Sequence, residues 1–188
     1  MRQLRKPLSL LCALVLMLVC MCVPALAEEA AFAGGSGTAE DPWQIATVEQ
    51  LAYLASTVND GSQSGYPGTY FVLTADLDMT DVDWTPIGNM ADMENYTTLF
   101  LGTFDGQGHT IRNFTYENDQ FIVGAGIFGI SVGEIKNVNI KDAVVHCTDG
   151  SSMAIGSLVG YSMGSVTSLT CADWPSASDV SGPGRTMV

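Results

Sequence analysis

The densest group of carboxylates in this sequence lies where a short strand is predicted to end. Asp76, Asp78, Asp81 and Asp83 fall close together in the sequence, and a hard cation such as calcium requires several oxygen ligands of this kind. The spacing lacks the glycine and the distal glutamate of an EF-hand loop. We therefore favour a solvated strand end and turn over a calcium site, and we predict no metal ligand.

Asp105 and His109 could suggest an acid–base pair, and His146 is the second histidine of the sequence. Asp105 opens an Asp-Gly turn, in which its side chain can bind its own backbone, and His109 leads into a strand. His146 lies alone in an apolar run. The sequence has no H-E-x-x-H pattern, nucleophile elbow, phosphate-binding loop or zinc-type cysteine set. We therefore expect structural roles for both histidines, no catalytic residue and no cofactor.

A sugar ligand would need cations or aromatic rings on one face of the molecule. Arg112 and Lys136 occupy equivalent positions in two similar segments, so we predict that they stack on one outer face. They could contact an anionic sugar there, although we favour solvent-facing strand residues. Trp43, Trp84 and Tyr96 could stack on sugar rings, but the segments around Trp43 and Trp84 are typical of packing beneath a helix.

Two cysteines, Cys147 and Cys171, lie outside the apolar N-terminal segment. Their separation in sequence is close to the length of one repeat, so they could lie in neighbouring repeats and form a disulfide. Such a bridge would stabilise the fold by about 3 kcal/mol on the chain-entropy model. The alternative, which we slightly favour, is that each cysteine is a small buried apolar residue.

Residues 1–27 are typical of a signal peptide. Arg2, Arg5 and Lys6 precede an apolar run at 8–23, which is shorter than the roughly 20 residues of a membrane span. Residues 25–27, Ala-Leu-Ala, match a small-x-small cleavage site. We predict that the mature chain is secreted, extracellular or on the cell surface, without membrane insertion after signal cleavage.

The charge balance excludes several classes of partner. The sequence holds 20 Asp and Glu against 7 Lys and Arg. Three of the basic residues lie in the predicted signal peptide, so the mature chain keeps four and has a formal charge of −16. An acidic surface repels nucleic acid and anionic lipid, and we predict no nucleic-acid partner. The mature chain, 28–188, has a length that fits one domain.

One helix is predicted near the start of the mature chain. Residues 28–42 lack periodicity and are expected to form a flexible lead-in. Thr47 and Gln50 form a capping box, and a stop signal follows at residues 59–61, so we expect a helix over about 47–60. Its apolar face comprises Val48, Leu51, Ala52, Leu54, Ala55 and Val58. Such a helix can cover the open end of a solenoid.

A repeat in the second half of the chain indicates a solenoid, whose coils bury their apolar faces against each other. Residues 126–140 recur 31 positions later, at 157–171. A partial third copy is predicted at 109–116, in which 109 corresponds to 133, 24 positions along the chain. We therefore expect coils over about 69–171, with unequal loop lengths.

Within each copy, apolar residues at i, i+3 and i+5 indicate two strand segments with a bend between them. The bend carries Asn113, Asn137 or Ser168, and we predict that these polar corners stack into a ladder. The other short strands expected in the copies are 121–123, 126–129, 144–147 and 157–160. Three strands per coil describe an all-β, right-handed parallel β-helix like that of pectate lyases. A leucine-rich repeat, the alternative, would need regular spacing and a helical back.

An ordered series of motifs resembles the N-terminal β-helix modules of large bacterial surface proteins that carry GLUG motifs. The series comprises Gly-Thr-x-x-Asp-Pro-Trp-x-Ile at 37–45, Asp-Leu-Asp-Met at 76–79, Trp-Thr-Pro-Ile-Gly at 84–88, Phe-Leu-Gly-Thr-Phe-Asp-Gly-Gln-Gly-His-Thr-Ile at 100–111, and GLUG-like residues at 133–137 and 157–160. Similar repeats occur in adhesins and in the non-catalytic stalk of IgA-specific metallopeptidases. The resemblance covers about residues 34–171.

The resemblance implies a non-catalytic scaffold or adhesin-type segment that binds a host or matrix glycan or protein. The alternative is an accessory β-helix region of a secreted carbohydrate-active enzyme or peptidase. The pattern dissolves after residue 171 without a recognisable cap or anchor, so we expect a fragment of a longer protein. The predicted organisation is a signal peptide at 1–27, a lead-in at 28–42, a β-helix module at 43–171 and an irregular tail at 172–188.

Overall fold

The computed structural model describes residues 31–91, 94, 96–148 and 153–172, so the predicted signal peptide and residues 173–188 of the predicted tail lie outside the described residues. One helix, α1, spans Val48–Asn59. The strands in the described ranges are β1 Trp43–Ile45, β2 Tyr70–Leu73, β3 Leu77–Asp78, β4 Thr103–Asp105, β5 Thr110–Arg112, β6 Thr115–Asn118, β7 Gly124–Ala125, β8 Phe128–Ser131, β9 Glu134–Lys136, β10 Asn139–Lys141, β11 Val144–Cys147, β12 Ala154–Ile155, β13 Val159–Ser162, β14 Ser165–Thr167 and β15 Thr170–Ala172.

The capping residues predicted from the sequence hold the start of α1. The Thr47 hydroxyl accepts a hydrogen bond from the Gln50 backbone N–H at 3.3 Å. The Gln50 side chain in turn accepts one from the Ala46 N–H at 2.8 Å, one residue before the position that a standard capping box uses. The helix ends at Asp60, whose N–H binds the Ser56 carbonyl. The predicted helix is therefore confirmed.

The buried face of α1 differs from the prediction at two positions. Ala52 is exposed, whereas Thr57 is buried at 8% exposure. The Thr57 hydroxyl donates to the Tyr53 carbonyl at 3.0 Å and lies 3.0 Å from the Tyr66 hydroxyl, so its polar atom is satisfied inside the core. Because its hydroxyl is hydrogen-bonded, Thr57 can lie on the buried face of α1, although the spacing of apolar residues does not predict it there.

Part of the expected lead-in packs against the module. Phe32 is only 8% exposed, and its ring lies 5.3 Å from Trp43 and 5.6 Å from Phe71. Backbone hydrogen bonds join Gly34 to Gln44 in an antiparallel bridge. Phe32 of the expected lead-in therefore belongs to the core, and backbone hydrogen bonds hold residues 33 and 34 beside β1.

The strands stack into a parallel β-helix, as the sequence predicts. The longest sheet has the order β1-β2-β4-β9-β14, and a second has the order β3-β5-β10-β15. Three further sheets pair β6 with β11, β7 with β12 and β8 with β13. All ten of these strand pairings are parallel. Helix α1 belongs to the same core as the first coils, since Leu51, Leu54 and Val58 are fully buried there.

A ladder of apolar residues defines the length of each coil. Phe71 pairs with Phe104, Phe104 with Ile135, and Ile135 with Val166. The last two of these steps equal the offset between the two clear copies in the sequence, so that offset is confirmed, and the first step is slightly longer. Phe71, Phe104 and Ile135 are fully buried because each is covered by coils on both sides.

The partial third copy was aligned wrongly. Ile111 pairs with Ile140, and not with Ile135 as the alignment of 109 with 133 predicted. Each coil contains the strand–corner–strand pattern twice, and the segment at 109–116 corresponds to the second occurrence. The two occurrences look alike in sequence because both alternate apolar and polar residues around an Asn or Asp corner.

The same misalignment explains the errors in strand placement. Residues 121–123 form no strand, and β6 instead pairs with β11, which was predicted. In each Gly-x-x-Gly segment the first two residues form a bend and the last two begin a strand, β8 or β13, while β7 and β12 lie just before the segments. In the described residues, the coil from β4 to β8 therefore has five short strands rather than the expected three.

The predicted corner residues do adopt turn geometry. The φ angles of Asn113, Asn137 and Ser168 are 57°, 54° and 54°, in the left-handed region that Asn tolerates better than most residues. Asn137 and Ser168 stack in one ladder, since Lys136 pairs with Thr167. Asn113 does not join this ladder, because its coil position is that of Asp142, whose φ is 52°.

Candidate functional site

Asp76 joins the first coil to the second. Its Oδ1 accepts a hydrogen bond from the Thr110 backbone N–H at 2.9 Å and lies 3.2 Å from His109 Nδ1. The Thr110 N–H and, after it, the His109 ring hold the pKa of the Asp76 carboxyl below its usual value. The carboxylate is therefore ionised at neutral pH and is tied to the start of β5.

Asp78 makes a second tie at the other end of the same pair of strands. Its Oδ1 accepts from the Thr80 hydroxyl at 2.6 Å and from Asn113 Nδ2 at 2.9 Å, while its Oδ2 accepts from Arg112 Nε at 3.1 Å. Donation by Thr80, then by Asn113, holds the pKa of Asp78 well below its usual range. Asp76 and Asp78 thus clamp β3 to β5 from both ends.

Asp105 repeats this arrangement one coil later. Its Oδ1 accepts from the Gln107 N–H at 2.8 Å, which is the local turn bond predicted from the sequence. The same oxygen accepts from Asn137 Nδ2 at 3.0 Å. Asp105 therefore ties the second coil to the third, and the left-handed corner residue Asn137 aims its amide at it.

The remaining two aspartates of the predicted acidic group lie apart from this network. Asp81 and Asp83 are both exposed, and Asp81 has a φ of 58°. Across the residues that the structure describes, no group of three or more His, Cys, Asp or Glu side chains is placed to hold a metal ion. Of the four predicted carboxylates, Asp76 and Asp78 join neighbouring coils.

His109 has a different partner from Asp105, the one considered in the sequence. His109 lies beside Asp76, 33 residues away in sequence, and Asp105 bonds to Asn137 instead. His146 is exposed in β11 and stands in register with Glu117 of β6. Asp76 could have been identified as the partner of His109 only from the coil register, because no local spacing links the two residues.

The two cations expected to stack do not do so. Arg112 stands in register with Asp78 on one side and Lys141 on the other. Lys136 instead pairs with Asp105, and its Nζ lies 3.2 Å from Glu134 Oε2. The error follows from the misaligned third copy. The outer surface of the second sheet therefore carries an Asp78–Arg112–Lys141 series, in which two cations are neighbours.

The three aromatic residues considered as sugar-stacking candidates differ in how deeply they are buried. Trp84 is 5% exposed and donates its Nε1–H to the Ile127 carbonyl at 3.1 Å, so its predicted packing role is confirmed. Trp43 is half-buried against Phe32. Tyr96 is 52% exposed and has a φ of 59°. Of the three aromatic residues, Tyr96 has the ring most open to a ligand.

The two cysteines lie in different sheets. Cys147 is 6% exposed at the end of β11, which agrees with the interpretation of a small buried residue. Cys171 lies in β15, in register with Ile140 of β10. A disulfide between the two cysteines stays the less favoured alternative.

The fold and the polar ties define a parallel β-solenoid with an N-terminal helix. No family model matches the chain. It is 28% identical over 151 residues to "Halomucin" of Haloquadratum walsbyi, a match that covers 77% of this chain and 2% of halomucin. It is 26% identical over 155 residues to a "Putative Gly-rich membrane protein" of Evansella cellulosilytica, a match that covers 77% of this chain and 16% of that protein.

The comparison with solved structures also gives a match. It is the crystal structure of a "putative immunoglobulin A1 protease" from Bacteroides ovatus, with a TM-score of 0.48 and 21% identity. The match covers 78% of this chain and 47% of that one. The chain thus spans less than half the length of each protein it matches. In the described ranges, no helix is both long enough and apolar enough to span a membrane.

Proposed function

We propose that this chain is a non-catalytic β-helix module of a secreted or cell-surface protein, acting as a scaffold or as an adhesin-type binding segment. The observation that carries the proposal is the use of Asp76, Asp78 and Asp105 as ties between coils. A general acid or base at neutral pH needs a pKa near 7 and an oxygen free to reach its substrate. The lowered pKa values of Asp76 and Asp78 are the opposite of that requirement.

Ligand binding by such a module would use its outer faces. The neighbouring cations Arg112 and Lys141 form the place at which an anionic group of a host or matrix glycan, or of a protein, could be held on an otherwise acidic chain. The description of one relative as a membrane protein supports a location at the cell envelope. The predicted signal peptide at residues 1–27 supports export.

The proposal is tested with the full chain purified after export. Binding is measured on an array of neutral and anionic glycans and on immobilised matrix proteins, and turnover is measured with pectin, alginate and immunoglobulin A. We expect binding without turnover. The double variant Arg112→Ala/Lys141→Ala should lose binding to anionic ligands, and Lys136→Ala, which also removes a cation, serves as the matched control.

Turnover of any of these substrates, retained after further purification, would contradict the proposal. It would support instead the accessory region of a carbohydrate-active enzyme or peptidase. If the double variant and the control lose binding to the same extent, the module still counts as a binding module, but the Arg112–Lys141 face is not its binding site.

A further inference from the structure

Three hydrogen-bond donors converge on the main-chain carbonyl of Asp41. The backbone N–H groups of Ser36 and Gly37 donate to its oxygen at 2.9 Å and 3.0 Å, and the Ser36 hydroxyl donates at 3.4 Å. Two successive N–H groups that point at one place form a site suited to a negatively charged oxygen. The bond from Asp41 to Pro42 therefore lies in an arrangement of the oxyanion-hole type.

Glycine allows the donors to reach this carbonyl. Gly35 and Gly37 have φ angles of 90° and 80°, in the left-handed region. A Cβ at Gly35 would collide with the Pro42 carbonyl, so the close approach requires glycine. The loop is also anchored, because Phe32 is buried in the core and the Gly37 carbonyl accepts from the Tyr70 N–H of β2 at 3.0 Å. The donors are thus fixed before any reaction, which is the condition for an oxyanion hole to be effective.

The two residues at this bond can also supply the groups for its cleavage. The side-chain carboxyl of an aspartate reaches its own main-chain carbonyl carbon through a five-membered ring, and intramolecular attack has a large entropic advantage. Proline forms a tertiary amide, whose nitrogen can take up a proton and leave as a secondary amine. Asp41 and Pro42 form the one Asp-Pro pair in the sequence, and Asp41 is exposed to solvent.

We propose that the chain cleaves itself between Asp41 and Pro42 in acid. A carboxyl oxygen of Asp41 forms a bond to the main-chain carbonyl carbon, and the carbonyl oxygen becomes an oxyanion held by the N–H groups of Ser36 and Gly37. The carboxyl proton passes to the Pro42 nitrogen. The carbonyl then re-forms, and the carbon–nitrogen bond breaks with its electron pair on nitrogen. Water opens the resulting cyclic anhydride to two carboxyl groups.

The surroundings of Asp41 set the expected pH dependence. Its hydrogen-bonding partners carry no charge: Ser36, Gly37 and Thr38. Glu40 is the titratable neighbour on the same segment, and Tyr70 is the titratable residue of β1 and β2, the strands beside that segment. Neither strand contains a cation that would oppose proton uptake. Cleavage should therefore become faster from about pH 5 to about pH 3, as carboxylic acids take up their protons.

The test follows the mass of the full chain, purified after export, during incubation across this pH range. Samples are unfolded before mass spectrometry, because the buried Phe32 and the Gly34–Gln44 bridge would hold the two pieces together. Circular dichroism establishes at which pH the chain stays folded. We expect two new masses that match cleavage after Asp41. The folded chain should be cleaved at least about tenfold faster than the same chain in urea at the same pH.

Thr85→Asp is the matched control, since Thr85 is exposed and precedes Pro86. The variant has a second Asp-Pro bond in the same molecule, at a carbonyl that accepts no hydrogen bond from the described residues. In the folded variant this second bond should break at least about tenfold more slowly than the bond after Asp41. Asp41→Asn should abolish cleavage at the first bond, because it removes the attacking carboxyl group.

Equal rates at the two bonds of folded Thr85→Asp would overturn the inference, because the ordinary acid sensitivity of Asp-Pro bonds would then explain the cleavage. Equal rates with and without urea would do the same, and this comparison decides alone if Thr85→Asp does not fold. A chain that stays intact across the pH range, or unchanged cleavage in Asp41→Asn, would also contradict it. The cleavage occurs once per chain, so these results are independent of ligand binding and of substrate turnover.

Discussion

Phe128 is the side chain through which the coils can be tested most sharply. It is fully buried in β8, and its ring centroid lies 5.1 Å from that of Phe100 and 5.2 Å from that of Phe104. It also stands between Ile87 of the preceding coil and Val159 of the next. Phe128→Ala therefore removes packing from three consecutive coils at once.

The size of the effect follows from burial. Truncating a buried phenylalanine to alanine costs about 3–5 kcal/mol of unfolding free energy, which includes the cavity that remains. For a chain of this length, 1 kcal/mol corresponds to a shift of about 2–4 °C in Tm, so we expect a decrease of roughly 6–20 °C. The matched control is Phe121→Ala, since Phe121 is 58% exposed. It should change the unfolding free energy by less than about 0.5 kcal/mol.

The assay is urea and thermal unfolding of both variants, followed by circular dichroism. The difference between the two variants measures what burial in the stack contributes, because the same ring is removed in each. Equal decreases for Phe128→Ala and Phe121→Ala would refute the assignment of Phe128 to the interior. A decrease in unfolding free energy for Phe121→Ala alone would mean that Phe121, and not Phe128, lies in the interior.

Three further predictions follow from local geometry. Because folding lowers the pKa of Asp78, its hydrogen bonds add stability above about pH 4, and this stability is lost as the pH falls through the lower, folded-state pKa. Thermal unfolding should therefore show Asp78→Asn with a lower Tm than the unaltered chain at pH 7, and the gap should narrow below about pH 4. A Cβ at Gly133 would collide with the Gly102 carbonyl, so Gly133→Ala should lower the unfolding free energy by about 1–3 kcal/mol in a urea titration. Asn137 has a φ of 54°, so Asn137→Ala should be about 1–2 kcal/mol less stable than Asn137→Gly in the same titration; equal stabilities would contradict the left-handed corner.

Local chemistry made the corners and the helix predictable. Asn137 and Ser168 were identified as bends because a step of three interrupts strand alternation, and both have the left-handed φ that such a bend requires. Thr47 and Gln50 marked the helix start through side-chain hydrogen bonds that span only a few residues. Signals of this kind lie within one short window of sequence.

The alignment of the coils could not be predicted in the same way. The step from Phe104 to Ile111 is longer than the equivalent step from Ile135 to Ile140. The longer step contains the turn at 106–108, which shifts β5 and β6 relative to the next coil, and the original offset returns at β8. The short apolar pattern around Asn113 then matches the pattern around Asn137 better than the pattern around Asp142, to which it corresponds. Only backbone pairing between coils resolves the register.

Most contacts of the candidate site depend on that register, so the sequence predicted only the local ones. The Asp105 turn bond to Gln107 was predicted, because it is local. The contacts of Asp76 with His109 and of Asp78 with Arg112 span 33 and 34 residues, and each follows from the pairing of β3 with β5. Once coil length is known, such ties can be sought one coil apart.

The coils stack in parallel, with Ile111 against Ile140 and Phe104 against Ile135. The most direct measurement is the set of interstrand nuclear Overhauser effects between backbone protons in isotope-labelled protein. This stacking predicts cross-peaks between the strand of Ile111 and that of Ile140. Cross-peaks that pair Ile111 with Ile135 instead would contradict it.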